Sequence, residues 1–83
     1  MKTRIKYFET KEYFRTEWFP IRANFIIRAL INKLDNTLLI QEFDSTIIHI
    51  ENYKDIRSAK RLARKLLVTN GLQLSSEVRR TNP

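Results

Sequence analysis

The chain has 83 residues, enough for one small domain, and its 42% hydrophobic content with nine aromatic residues is too rich for a wholly disordered protein. It contains no cysteine and a single histidine, His49, which excludes disulfide scaffolds, thiolate metal sites, cysteine catalysis and a histidine-rich metal centre. Sixteen Lys and Arg against nine Asp and Glu give a net charge of +7 and a pI near 10.2, and the excess is gathered at one end. Residues 1–53 carry eight basic and seven acidic groups, whereas residues 54–83 carry eight basic and two acidic ones.

No apolar run reaches the roughly 18 residues needed to span a bilayer, and Met1-Lys2-Thr3-Arg4-Ile5-Lys6 leads into Tyr7-Phe8-Glu9 rather than a signal-peptide stretch. The expectation is an intracellular, cytoplasmic protein. One glycine and two prolines leave little room for a linker, so residues 1–78 read as one α+β domain and 79–83 as a basic flexible tail.

In chain order, Arg4 to Phe8 reads as a strand, and Tyr13 to Phe19 as its hairpin partner or a structured loop. This segment holds Tyr7, Phe8, Tyr13, Phe14, Trp18 and Phe19, six of the nine aromatic residues, interleaved with Lys6, Lys11 and Arg15. A domain this small needs large side chains inside, so core packing is the first expectation for the cluster. Stacking of single-stranded bases on an exposed sheet and a protein-binding patch are the alternatives.

The stretch Ile21 to Leu34 satisfies two periods. Ala23, Ile26, Ile27, Leu30, Ile31 and Leu34 fit the i, i+3, i+4, i+7 template, and Pro20 suits a helix start, which predicts a second helix at about 21–34. Four isoleucines and the turn-like Leu34-Asp35-Asn36-Thr37 favour instead a strand hairpin running Phe25 to Phe43. The helical alternative gives a ferredoxin-like βαββαβ order; the strand alternative gives a meander closed by one helix. Thr37 to Phe43 and Thr46 to Glu51 form an expected antiparallel hairpin around Asp44-Ser45, with Ile48 and Ile50 towards the core and His49 away from it.

The clearest signal lies at Tyr53 to Thr69, where Ile56, Ala59, Leu62, Ala63, Leu66 and Leu67 recur at helical spacing. Lys54, Arg57, Lys60, Arg61, Arg64 and Lys65 fill a separate arc of about 140°. Asn52 with Asp55 is the expected N-terminal capping pair, and Asn70-Gly71 the left-handed stop. Leu72 and Leu74 suggest one further short strand.

That basic arc is the principal candidate site. A merely solvated helix face mixes signs to gain pairs four residues apart, but after Asp55 this face offers no acidic residue through Thr69. Phosphates along a nucleic-acid backbone would offset the repulsion among its cations, and Arg forks contact phosphate or guanine edges in pairs of bonds. The candidate nucleic-acid-binding residues are Lys54, Arg57, Lys60, Arg61, Arg64 and Lys65, with Arg79 and Arg80 as an auxiliary clamp.

The run Ala59-Lys60-Arg61-Leu62-Ala63-Arg64-Lys65-Leu66-Leu67 is similar to the second helix of double-stranded RNA-binding domains, in which a Lys-Lys pair at the helix start grips phosphates across the major groove. Here the Lys60-Arg61 pair lies inside the helix, and the glycine-bearing strand turns and N-terminal helix of that family are not recognisable. Strands followed by a helix also resemble integrase arm-binding domains, which read DNA with the sheet. The two resemblances imply different surfaces, and no family is assigned from them.

His49 with Glu51, Glu42 and Asp44 lacks a recognisable ligand spacing, and one glycine cannot build a phosphate-binding loop, so neither catalysis nor a metal or other cofactor is expected. The resulting expectation is a small basic protein, without enzymatic activity, that binds DNA or RNA; its Ile-, Asn- and Lys-rich chain suits a phage or mobile-element accessory protein. The alternative is an interaction or inhibitor protein that docks the same face on an acidic protein surface. Membrane attachment is disfavoured because the core needs the helix's Leu and Ala stripe, and a homodimer is left open.

Overall fold

The computed structural model describes residues 5–72. Six strands and one helix follow in the order β1 (Tyr7–Glu9), β2 (Tyr13–Thr16), β3 (Phe19–Arg22), β4 (Phe25–Asn32), β5 (Thr37–Glu42), β6 (Ile47–Asn52) and α1 (Ile56–Thr69). All pairings are antiparallel, the sheet order is β1-β2-β4-β5-β6, and β3 pairs with β4. The fold is α+β, a meander with α1 lying across β4 and β5.

The second helix expected at about 21–34, and the ferredoxin-like order built on it, are not what the chain forms. Those residues make the end of β3, a turn, the whole of β4 and the start of the turn that follows it. Within β4 the buried side chains are Ile27, Ala29 and Ile31, while Ile26, Arg28, Leu30 and Asn32 between them are half-buried, a period of two. Isoleucine at three of the eight strand positions suits the pleated surface, where branching at Cβ costs no rotamer freedom.

β4 is long enough to pair with two short strands along one edge. Its second half takes β2, in the register Phe14↔Ile31 and Arg15↔Leu30; its first half takes β3, through Phe19↔Ile27 and Pro20↔Ile26. Glu17 and Trp18 interrupt the ladder between them. The gap is closed by Thr16, whose fully buried hydroxyl accepts from the Ala29 backbone N–H at 3.0 Å and donates to the Glu17 carbonyl at 2.9 Å. A buried amide that would otherwise lack a partner is thereby satisfied.

The turns follow local side-chain chemistry. Asn32 Oδ1 accepts from the Leu34 N–H at 2.8 Å and Asp35 Oδ1 from the Thr37 N–H at 3.2 Å, with Asn36 in the left-handed region at φ 56°. In the next turn Asp44 Oδ1 accepts from the Thr46 N–H at 3.0 Å and Ser45 takes φ 79°. Those bonds from Thr46 hold the Asp44 carboxyl below the ordinary carboxylate range.

Helix α1 is capped by Asp55 itself, whose side chain accepts from the Ser58 N–H at 2.8 Å, rather than by the Asn52–Asp55 pair expected. At the other end the Leu72 N–H bonds the Leu67 carbonyl at 3.0 Å and the Gly71 N–H bonds that of Val68 at 2.9 Å, with Gly71 at φ 119°. This is a Schellman stop, accompanied by burial of both Leu67 and Leu72. A Cβ on Gly71 would stand 2.7 Å from Ile21 Cγ2, so the position needs glycine for space as well as for φ. Leu74, expected in a further strand, and the 79–83 tail lie outside the described residues.

The core gathers on one face of the sheet. Ile27, Ala29, Ile31, Leu38 and Ile40 from β4 and β5 meet Ala59, Ala63 and Leu67 from α1, all fully buried. Alanine at two of the three buried helix positions lets the helix backbone lie close to the strands. No helix among the described residues is long and apolar enough to cross a membrane.

Candidate functional site

The three fully buried helix positions, Ala59, Ala63 and Leu67, point α1 at the sheet, which leaves the arc through Arg57, Arg61, Arg64 and Lys65 on the side turned away from it. These four side chains and Lys54 are exposed. Among the described residues no carboxylate forms an ion pair with Lys54, Arg57, Arg61 or Lys65; Lys33 pairs with Glu9 at 2.8 Å, and His49 Nε2 lies 2.9 Å from Glu51 Oε1. Asp55, the nearest acid in sequence, is committed to the cap, and its carboxyl is held below the ordinary range first by the Ser58 bonds and then by Lys54 and Arg57. Arg61, Arg64, Lys65, Val68 and Thr69 border a shallow depression of about 290 Å³ on this face.

Lys60 does not share that surface. Its ammonium lies 4.6 Å from the centre of the Phe14 ring and 5.1 Å from that of Tyr7, two rings that meet edge to face at 6.5 Å under the flank of the helix. At 40° of helical rotation from Ile56 the side chain borders the apolar stripe, so aromatic faces compete with water for its charge. Burial pushes the neighbouring Tyr7 phenol up to about 12, with Arg64 pulling the other way. Of the eight expected site residues, five therefore lie exposed at the N-terminus and solvent face of α1, Lys60 is drawn inward, and Arg79 and Arg80 lie outside the described residues.

A second surface escaped sequence reasoning. Cross-strand partners share a face, so the register places Phe8, Arg15, Leu30, Leu39 and Ile50 in one row across β1, β2, β4, β5 and β6 on the side opposite α1. Arg28, Gln41 and Ile47 form an adjacent row, and Tyr13, Asn32, Thr37 and Asn52 another. Among the described residues every strand carboxylate falls on the helix side instead: Glu9 opposite Phe14, Glu42 opposite Ile27 and Glu51 opposite Leu38.

The aromatic cluster consequently divides. Tyr7, Phe14 and Phe19 pack in or against the core, as expected of the whole group, while Phe8, Tyr13 and Trp18 stand outside it. Trp18 lies between the Arg28 guanidinium, 4.3 Å from its ring centre, and Phe43, edge-on at 5.0 Å; Arg28 Nε donates to Gln41 Oε1 at 3.1 Å. Arg15 covers Phe8 in the same manner at 4.9 Å. Burial, with Arg15 nearby, lowers the Arg28 pKa from its usual value.

β6 also departs from its expected orientation. A bulge between Ile40↔His49 and Gln41↔Ile47 inserts Ile48, which packs against the core, and turns His49 to the helix side and Ile50 to the open face, where it is 61% exposed. The residue alternation in β1, β2 and β4 carried the signal for the open face, once their strand state and register were known. Among the described residues no group of three or more His, Asp or Glu is disposed to hold a metal ion. No known protein-family model, curated protein sequence or solved structure matches the chain.

Proposed function

We propose that the chain is a non-enzymatic nucleic-acid-binding protein that holds phosphates of DNA or RNA on the solvent face of α1. The supporting observation is the set Lys54, Arg57, Arg61 and Lys65, exposed and without an ion-pairing carboxylate among the described residues, the first just before and the others along a helix whose opposite face is anchored in the core. Side chains that repel one another along one helix face gain most from a ligand that carries regularly spaced anions. Arg64 joins them, and Arg79 and Arg80 extend the basic charge along the sequence. The Ile-, Asn- and Lys-rich composition suits a phage or mobile-element accessory protein acting inside the host cell.

The test is duplex binding measured over a range of salt concentrations. Contacts to about four phosphates give a log-log slope near −3.6, and Arg57→Gln with Arg61→Gln flattens it by roughly two while the melting temperature holds. Lys60→Gln leaves the slope nearly unchanged, because that ammonium is occupied by Phe14 and Tyr7. No binding to single- or double-stranded DNA or RNA at low salt would overturn the proposal and give the face to an acidic protein surface.

A further inference from the structure

The helix accounts for one side of the molecule and leaves the open side of the sheet unexplained. Among the described residues, the strand positions on that side carry two charges of one sign, Arg15 and Arg28, and no carboxylate. It also carries apolar area that a core would normally claim: Phe8, Phe43, Ile47 and Ile50 are 47%, 64%, 51% and 61% exposed. Both guanidiniums stand over rings, Arg15 4.9 Å from the centre of Phe8 and Arg28 4.3 Å from that of Trp18, and a guanidinium held against a ring still has N–H groups to donate to phosphate.

We propose that this open face is a second nucleic-acid surface that takes an unpaired strand, with bases against the rings of Phe8 and Phe43 and phosphates against Arg15 and Arg28. Charge selects a polyanion. A second copy of the chain packed face to face would bring the same arginines into one layer with no carboxylate there to pair them, which is costly where water is excluded. The rings select unpaired bases, because a base inside a duplex has both faces already stacked whereas a single strand offers them to any aromatic platform. The surface is independent of the helix reading, since α1 directs its cations to the opposite side of the sheet.

Trp18, the only tryptophan, sits within this face and reports on it. An oligothymidylate of about eight nucleotides should quench its emission saturably, and Phe8→Ala with Phe43→Ala should weaken that binding by roughly 5- to 100-fold. Phe8 is 47% and Phe43 64% exposed and neither belongs to the buried core, so the variant should melt close to wild type and still bind duplex through α1. The Arg57→Gln, Arg61→Gln variant should do the reverse, losing duplex and keeping the quench, which separates failure of one surface from failure of the other. Absence of quenching would overturn the proposal. So would equal quenching by polyglutamate, equal competition by duplex, or a concentration-dependent dimer abolished by the Phe8→Ala, Phe43→Ala change.

Discussion

At the residue scale, the most consequential side chain is not a charged one. Thr16 sits where two short strands share one edge of β4, and its hydroxyl supplies the acceptor that a continuous strand would have provided to the Ala29 amide. Thr16→Val keeps the shape and removes the acceptor, leaving a buried N–H without a partner. The expected loss is about 1 to 3 kcal/mol, read as a lower urea midpoint with an unchanged slope. Thr16→Ser keeps the hydroxyl and should recover most of it. Lys60 makes a related point about charge: its position in the sequence is that of a surface cation, but the rings of Phe14 and Tyr7 determine where the ammonium rests.

At the scale of elements, α1 is specified at both ends by residues that act locally. Asp55 satisfies the Ser58 amide, and Gly71 closes the last turn so that Leu72 returns to the core beside Leu67. Gly71→Ala meets two separate costs, the φ of 119° and the 2.7 Å approach to Ile21 Cγ2. Thermal or urea denaturation should show a loss of about 1 to 3 kcal/mol. In an Ile21→Ala background the penalty should shrink but not vanish, because removing Ile21 relieves the contact and leaves the backbone conformation. The strands depend on one another to a greater degree: β1 has three residues and β3 four, and each persists only by pairing with its neighbour.

For the whole molecule, the layers assign charge to two sides. The helix layer carries cations outward, the sheet carries arginines on rings in the other direction, and the strand carboxylates line the helix side. Folding also couples stability to pH through Tyr7, which is half-buried against the core with a phenol pKa raised from 10.0 to about 12. Between those values the unfolded chain releases the phenolic proton while the native protein keeps it. The native state then binds more protons, and stability falls as pH rises. The Tyr7 contribution is complete below about pH 10 and is lost as pH climbs through about 12. The measurement is the difference between wild type and Tyr7→Phe in urea midpoints from pH 9 to 12, and the substitution should narrow the alkaline decline. Tyr53, also raised first by burial, acts with the same sign.

The amino-acid sequence by itself determined the helix of residues 56–69, its glycine stop, the hairpin through Asp44-Ser45 and the concentration of basic charge beyond residue 53. These depend on periodicity, turn chemistry and capping over a few neighbouring residues, so no distant contact is needed to establish them. It left Ile21 to Leu34 open between helix and strand because β4 is central to the sheet: Ile27, Ala29 and Ile31 face the helix while Ile26 and Leu30 are half-buried on the other side. Full burial on one face and partial burial on the other blur the strand alternation into an apolar run that also satisfies a helical template. Tertiary structure alone decided that Lys60 turns inward, that the β6 bulge reverses His49 and Ile50, and that Arg15, Arg28 and Phe8 share one face. Each of these outcomes depends on register between strands distant in sequence or on rings supplied by another layer, and neither is encoded in any single window of the chain.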